Sequence, residues 1–216
     1  DHAEVGMMGH LQVLAKDAPA FAIYGLQGLG LPSPYPSVNT LLTDPKELGK
    51  YHILFLPCSG GTNQMDMGPK CTGVYNSDSR VKANLADFVA KGGRIYVSDW
   101  SYEYVRQVFP GFITWRGESS QIGSACSGGG GNQSVFKKES GLDAWLQAQG
   151  KSLSEVKDAW TAIASVQDKM DIDADGKMTK ITPKVWVETT SPVTASVQHG
   201  CGRVLYTTYH TQPTSE

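Results

Sequence analysis

The residues with the greatest chemical reach in this chain are carboxylates at two places. Asp99 follows Ile95-Tyr96-Val97, a short apolar run of strand length, within the stretch Arg80–Val105, RVKANLADFVAKGGRIYVSDWSYEYV. The carboxyl end of a strand in an open α/β sheet is where ligands bind and reactions take place. A carboxylate at such a point can act as nucleophile or general base. Ser98 and Ser101 flank it, but without the glycines that a serine nucleophile turn requires. The second place is Asp171-Ile-Asp-Ala-Asp-Gly176, where Asp171, Asp173 and Asp175 alternate ahead of a glycine. They match positions one, three and five of a calcium loop, the glycine allows the tight bend, and Lys177 would offer its backbone carbonyl. The twelfth position is Thr182 where a bidentate glutamate belongs, so oxygens from elsewhere, such as Glu188, would have to complete the shell. A calcium ion held there would be structural and of the weak extracellular kind; a solvated acidic turn is the equal alternative.

Four cysteines, Cys58, Cys71, Cys126 and Cys201, form no CxxC pair, which argues against a compact zinc site. All four lie in loops rich in glycine or proline, and this favours disulfides and an oxidising compartment: secreted, periplasmic or at the cell surface. Cys58 with Cys71 and Cys126 with Cys201 is the preferred pairing of three. His2, His10 and His52 have no metal spacing, and His199 reads as exposed rather than as a ligand.

Elements must position these groups. Val81, Leu85, Phe88 and Val89 give one buried face of a helix, which Gly92 and Gly93 end. Tyr51–Pro57, YHILFLP, reads as a strand buried on both faces, and it runs into Cys58-Ser-Gly60-Gly61. An amphipathic helix is expected over Val5–Lys16 and a strand over Phe21–Tyr24, with no strand ahead of the first helix. Gly128–Gly131 reads as a flexible linker. Two helices are expected beyond it. One carries Leu142, Trp145 and Leu146; the other opens at a Ser152/Glu155 capping box and carries Val156, Trp160 and Ile163. Val185–Glu188 and Val204–Tyr209 are expected to be the closing strands. The 216 residues suffice for one α/β domain spanning 1–216, and a net charge of −2 points away from nucleic acid. No run is long and apolar enough to span a membrane.

The order of an apolar strand ending in PCSGG, then FVAKGGRIYVSDWSYE, then GCGRVLYTTYHTQ resembles the class I glutamine amidotransferase-like superfamily, nearest its trehalose-utilisation-like branch and uncharacterised bacterial surface proteins. The resemblance covers roughly residues 20–110 and 195–212. It implies a flavodoxin-like, three-layer α/β/α sandwich with a mainly parallel sheet. It places the nucleophile at Asp99 in Val97-Ser98-Asp99-Trp100-Ser101, with both motif glycines absent, and the base at His210 in Tyr209-His210-Thr211-Gln212. Gln212 stands where the orienting glutamate is expected. A glutaminase passes through a thioester, which a carboxylate cannot form, so the residue at position 99 argues against glutamine hydrolysis.

Two readings of the pair follow from that resemblance. In one, Asp99 and His210 act in a cleft where Gly60 and Gly61 supply N–H groups to an anion, and Ser98 and Trp100 line the ligand. In the other, favoured because function separates readily from such scaffolds, Asp99 caps the helix starting at Trp100, and the domain binds or supports without catalysis. Its partner would be a protein or a carbohydrate, the latter on an aromatic platform at Trp100 and Trp115.

Overall fold

The computed structural model describes residues 22–25, 36–58, 77–125 and 128–209. The expected helix at Val5–Lys16, and Phe21, Gly60, Gly61, Cys71, Cys126, His210 and Gln212, lie outside these residues.

Two short helices come first, α1 (Val38–Thr43) and α2 (Pro45–Leu48). Each is started by an oxygen-bearing side chain that accepts an otherwise unpaired N–H: Ser37 from Asn39 and Asp44 from Lys46. Strand β1 (Ile53–Leu56) leads toward α3 (Ser79–Ala90), which turns Val81, Leu85, Phe88 and Val89 inward at the expected helical spacing. Gly92, at φ +108°, ends that helix, and β2 (Arg94–Ser98) runs back parallel to β1. A 3₁₀ turn (Asp99–Tyr102), α4 (Glu103–Val108) and β3 (Ile113–Trp115) follow.

Beyond this unit the chain is mostly extended. In order come β4 (Gly131–Ser134), β5 (Lys137–Lys138) and α5 (Ser140–Ala148). Next are β6 (Glu155–Ala159), β7 (Ile163–Val166), β8 (Lys169–Ile172) and β9 (Met178–Ile181). The last three are β10 (Lys184–Glu188), β11 (Pro192–His199) and β12 (Gly202–Thr207).

Six strands form one sheet in the order β1-β2-β12-β11-β10-β5. β1, β2 and β12 are mutually parallel, and β11, β10 and β5 extend the sheet antiparallel. Three two-stranded ribbons, β3-β7, β4-β6 and β8-β9, lie outside it. The flavodoxin-like, three-layer α/β/α sandwich is therefore wrong: the sheet is mixed, helices are few, and α1, α2 and α4 all gather around α3 on one face. Two local misreadings account for much of the error. The residues read as a capping box and a helical stripe at Ser152–Ile163 instead form β6, the link at Trp160–Ala162 and β7. A helical i, i+4, i+7 spacing can be met by two strands when a bend resets the phase between them. The second is β11, the strand that turns the sheet antiparallel, which carries no strand signal in the sequence. Its Thr194 and Ser196 are as buried as Val193, Ala195 and Val197, so no polar–apolar alternation marks it.

The main core joins Leu54, Leu56, Ile95, Val97, Val204 and Tyr206 of the sheet to the inner residues of α3. Gly202 lets β12 start directly against the end of α3; a Cβ there would lie 2.1 Å from the Val89 carbonyl oxygen. A smaller core, Val156, Val187 and Val193 with Leu142 and Trp186 against it, supports β4, β6 and α5. The Gly128–Gly131 run is no linker, because Gly129 lies against the Ala159–Trp160 backbone where a Cβ would sit 2.1 Å from an oxygen, and Gly131 opens β4.

Candidate functional site

Strand β2 delivers Asp99 to a sharp bend at the carboxyl end of the parallel strands, as the sequence predicts. Asp99 has φ +37°, one of two positive values among the described non-glycine residues. Such backbone costs roughly 1–3 kcal/mol and persists only where its surroundings hold it. Those surroundings are hydrogen bonds. Asp99 Oδ1 accepts from the Thr161 N–H at 2.8 Å and from the Thr161 hydroxyl at 2.7 Å, and Oδ2 accepts from the Trp160 N–H at 3.4 Å. The Tyr206 hydroxyl lies 2.7 Å from Thr161 Oγ1 and 3.1 Å from the Asp99 carbonyl oxygen. A carbonyl can only accept, so the single Tyr206 proton is directed at the Asp99 carbonyl oxygen, while Thr161 gives its hydroxyl proton to the Asp99 carboxylate. Burial, and then the charge of Asp99, push the Tyr206 phenol well above its ordinary pKa.

Asp99, Thr161 and Tyr206 are fully buried. The carboxylate reaches across to the β6–β7 link; no side chain caps the 3₁₀ turn, which corrects the expected helix-capping role. The flanking serines fasten the same bend to β1. Ser98 Oγ accepts from the Cys58 N–H at 2.8 Å, and the Ser101 hydroxyl donates to the Pro57 carbonyl at 2.6 Å. Trp100 stacks on Trp160 with ring centroids 4.6 Å apart, and Trp160 remains 39% exposed. Trp115 is instead buried between Tyr102 and Tyr206 and offers no platform.

Sequence reasoning missed Thr161 and Tyr206 because neither lies near Asp99 in the chain. It also missed Glu103, which is fully buried. Its carboxylate accepts from Arg106 Nη2 at 2.8 Å, Gln107 Nε2 at 3.0 Å and the Gly123 N–H at 2.9 Å. Arg106 in turn donates to the Ser119 and Gln121 carbonyls, so the pair binds the loop after β3 to α4. The one legible signal was Glu103 and Arg106 three residues apart in a helix.

The acidic run forms the tip of the β8-β9 ribbon. Asp173 Oδ1 accepts from the Asp175 and Lys177 N–H groups, each at 2.9 Å, and the Lys177 carbonyl accepts from the Asp173 N–H. Gly176, at φ +74°, makes the bend. Asp171 faces away from this turn and pairs with His199 Nδ1 at 2.9 Å. His199 is thus a carboxylate partner, partly buried against Phe109. Glu188 pairs with Pro192 at the opposite end of β11 from His199, so β11 separates it from the acidic turn. Among the described residues no three His, Cys, Asp or Glu side chains are grouped to hold a metal ion.

The expected disulfide framework is also corrected: no disulfide joins described residues. Cys201 is an exposed thiol in the β11–β12 turn, and its Sγ lies 3.3 Å from the Ala174 carbonyl. Cys58 is buried at the end of β1. Among the described residues no helix is long and apolar enough to cross a membrane.

Neither a family model nor a curated protein matches the chain. Among solved structures it is similar to a GH42 β-galactosidase from G. stearothermophilus, with TM-score 0.41 and 15% identity, over 83% of this chain and 21% of that one. It is similar to the β-galactosidase of Bacillus circulans sp. alkalophilus at TM-score 0.39 and 14% identity, over 75% and 20% of the two chains. A cytoplasmic protein of Salmonella typhimurium gives 0.43 and 10%, over 85% and 72%. The chain spans about a fifth of the length of the β-galactosidases. These likenesses are too distant to fix a fold or a function.

Proposed function

We propose that this protein is a non-catalytic binding or structural domain, in which Asp99 occupies the nucleophile position of amidotransferase-like relatives and serves as a fastening. The observation that carries this reading is the complete burial of the Asp99 carboxylate beneath Trp160 and Thr161. A nucleophile or general base must present an oxygen to a substrate atom at about hydrogen-bonding distance. Here the backbone of the β6–β7 link takes that approach. The placement of Asp99 directly after β2, a strand flanked by two parallel neighbours, supports the amidotransferase-like comparison for β1, α3, β2 and β12 alone.

A carbohydrate-binding reading draws on a separate observation, the Trp100–Trp160 stack with Trp160 open to solvent over the elbow. Aromatic faces of this kind pack against apolar surfaces while their edges stay wet.

The test compares wild type with Asp99→Asn. Model amide, ester, glycoside and phosphate substrates are offered to both proteins, and both are melted. The expected outcome is no turnover by either protein and a lower Tm for the variant. Turnover by wild type that the folded variant lacks would overturn the proposal.

A further inference from the structure

The face of the sheet away from α3 carries a second arrangement. In the parallel ladder Arg94 of β2 is the partner of Arg203 of β12, so their side chains leave the same face of adjacent strands, which run about 4.8 Å apart. Both are exposed, and among the described residues neither has a carboxylate partner. Like charges set side by side in a sheet oppose its formation, and the full chain is slightly acidic, so surplus basic residues do not explain the placement.

Arg203 also lines a cavity of about 250 Å³ with Lys180, Thr182, Lys184, Ser196 and Gln198. No carboxylate lines it. Asp168 and Glu139 pair with Lys180 and Lys184 from beside it. The two arginines are therefore the uncompensated charge. Ser196 Oγ accepts from Trp186 Nε1, which leaves its own proton to donate, and Gln198 adds an amide beside it.

We infer that this face binds a small hydroxylated molecule bearing a phosphate or sulfate ester, with the anionic group between Arg94 and Arg203 and the hydroxyls toward Ser196 and Gln198. Guanidinium groups match the oxygens of such esters in paired hydrogen bonds. The cavity lies just under the usual range of small-molecule sites, about 300–1,000 Å³, which suits a ligand the size of one sugar ring. The inference goes beyond the proposed function and does not depend on it: the cavity is on the other face, and a catalytic Asp99 would leave it intact.

The experiment is calorimetric titration of the full chain with glucose 6-phosphate, glucose 6-sulfate, inorganic phosphate and glucose, at low and high salt. Expected are saturable binding of one of the two esters, at least tenfold tighter than glucose or inorganic phosphate, and weakening by salt. Arg203→Gln and Arg94→Gln should each lose tenfold or more, while Lys82→Gln on the exposed side of α3 should match wild type. Absence of binding overturns the inference. So does equal affinity for phosphate and both esters, which would mean an adventitious ion only, or ester affinity unchanged in both arginine variants.

Discussion

Two aspartate sites attract attention in the sequence, and they hold their oxygens in opposite ways. Asp99 is buried, and its partner Thr161 is 62 residues away. Asp173 is at a ribbon tip, and it bonds only two and four residues ahead. The first carboxylate ties two separate parts of the molecule together; the second shapes its own turn. A buried acceptor whose donors have no water to replace it contributes far more than an exposed one whose donors do. Residue type alone does not separate these cases. Burial and the sequence distance of the partner do.

The largest effect that sharpens this contrast is at Asp99. Asp99→Ala strips three donors of their acceptor and sets alanine at a positive φ, so about 3–5 kcal/mol of stability should be lost. Asp99→Asn tolerates the backbone better and keeps one acceptor, so it should lose less. Chemical denaturation of both variants measures the gap; equal and small losses would break the contrast. Next is Thr161→Val, which removes the hydroxyl between Tyr206 and Asp99 while keeping the backbone N–H. A loss of about 1–2 kcal/mol is expected in the same measurement.

An alkaline pH series comes third. Burial raises the pKa of Tyr102, Tyr206 and Tyr209 in the folded protein. A folded value above the unfolded one, near 10, means that folding favours the protonated phenol. That stability is fully present below about pH 10 and is lost as pH rises toward the folded values. Tm should therefore hold steady through neutral pH and fall above about 10, and a flat alkaline profile would contradict the burial of these phenols.

The smallest effects belong to the ribbon tip. Asp173→Ala should cost about 1 kcal/mol or less, since water can replace an exposed acceptor. Calcium at the acidic turn is expected to leave Tm unchanged, because the Lys177 carbonyl and one Asp173 oxygen already accept N–H bonds and Asp171 pairs with His199. A clear rise in Tm with calcium, reversed by chelator, would instead restore the metal reading and make the two aspartate sites alike in importance.

What could be read in advance was whatever is written within a few residues. The stripe Val81, Leu85, Phe88, Val89 marks α3, Gly92 marks its end, and Ile95–Val97 marks the strand that presents Asp99. These rest on local periodicity and backbone freedom, which the chain carries without reference to its own distant parts. The acidic turn was equally local, and its bend at Gly176 was foreseeable. Only tertiary structure decided that β11 would run antiparallel to β12, that α1, α2 and α4 would gather around α3, that Thr161 would close over Asp99, and that Arg94 would stand beside Arg203. Each of those depends on which strand pairs with which and in what register. A shift of one residue would send every side chain of a strand to the other face, and nothing within the strand itself records the choice.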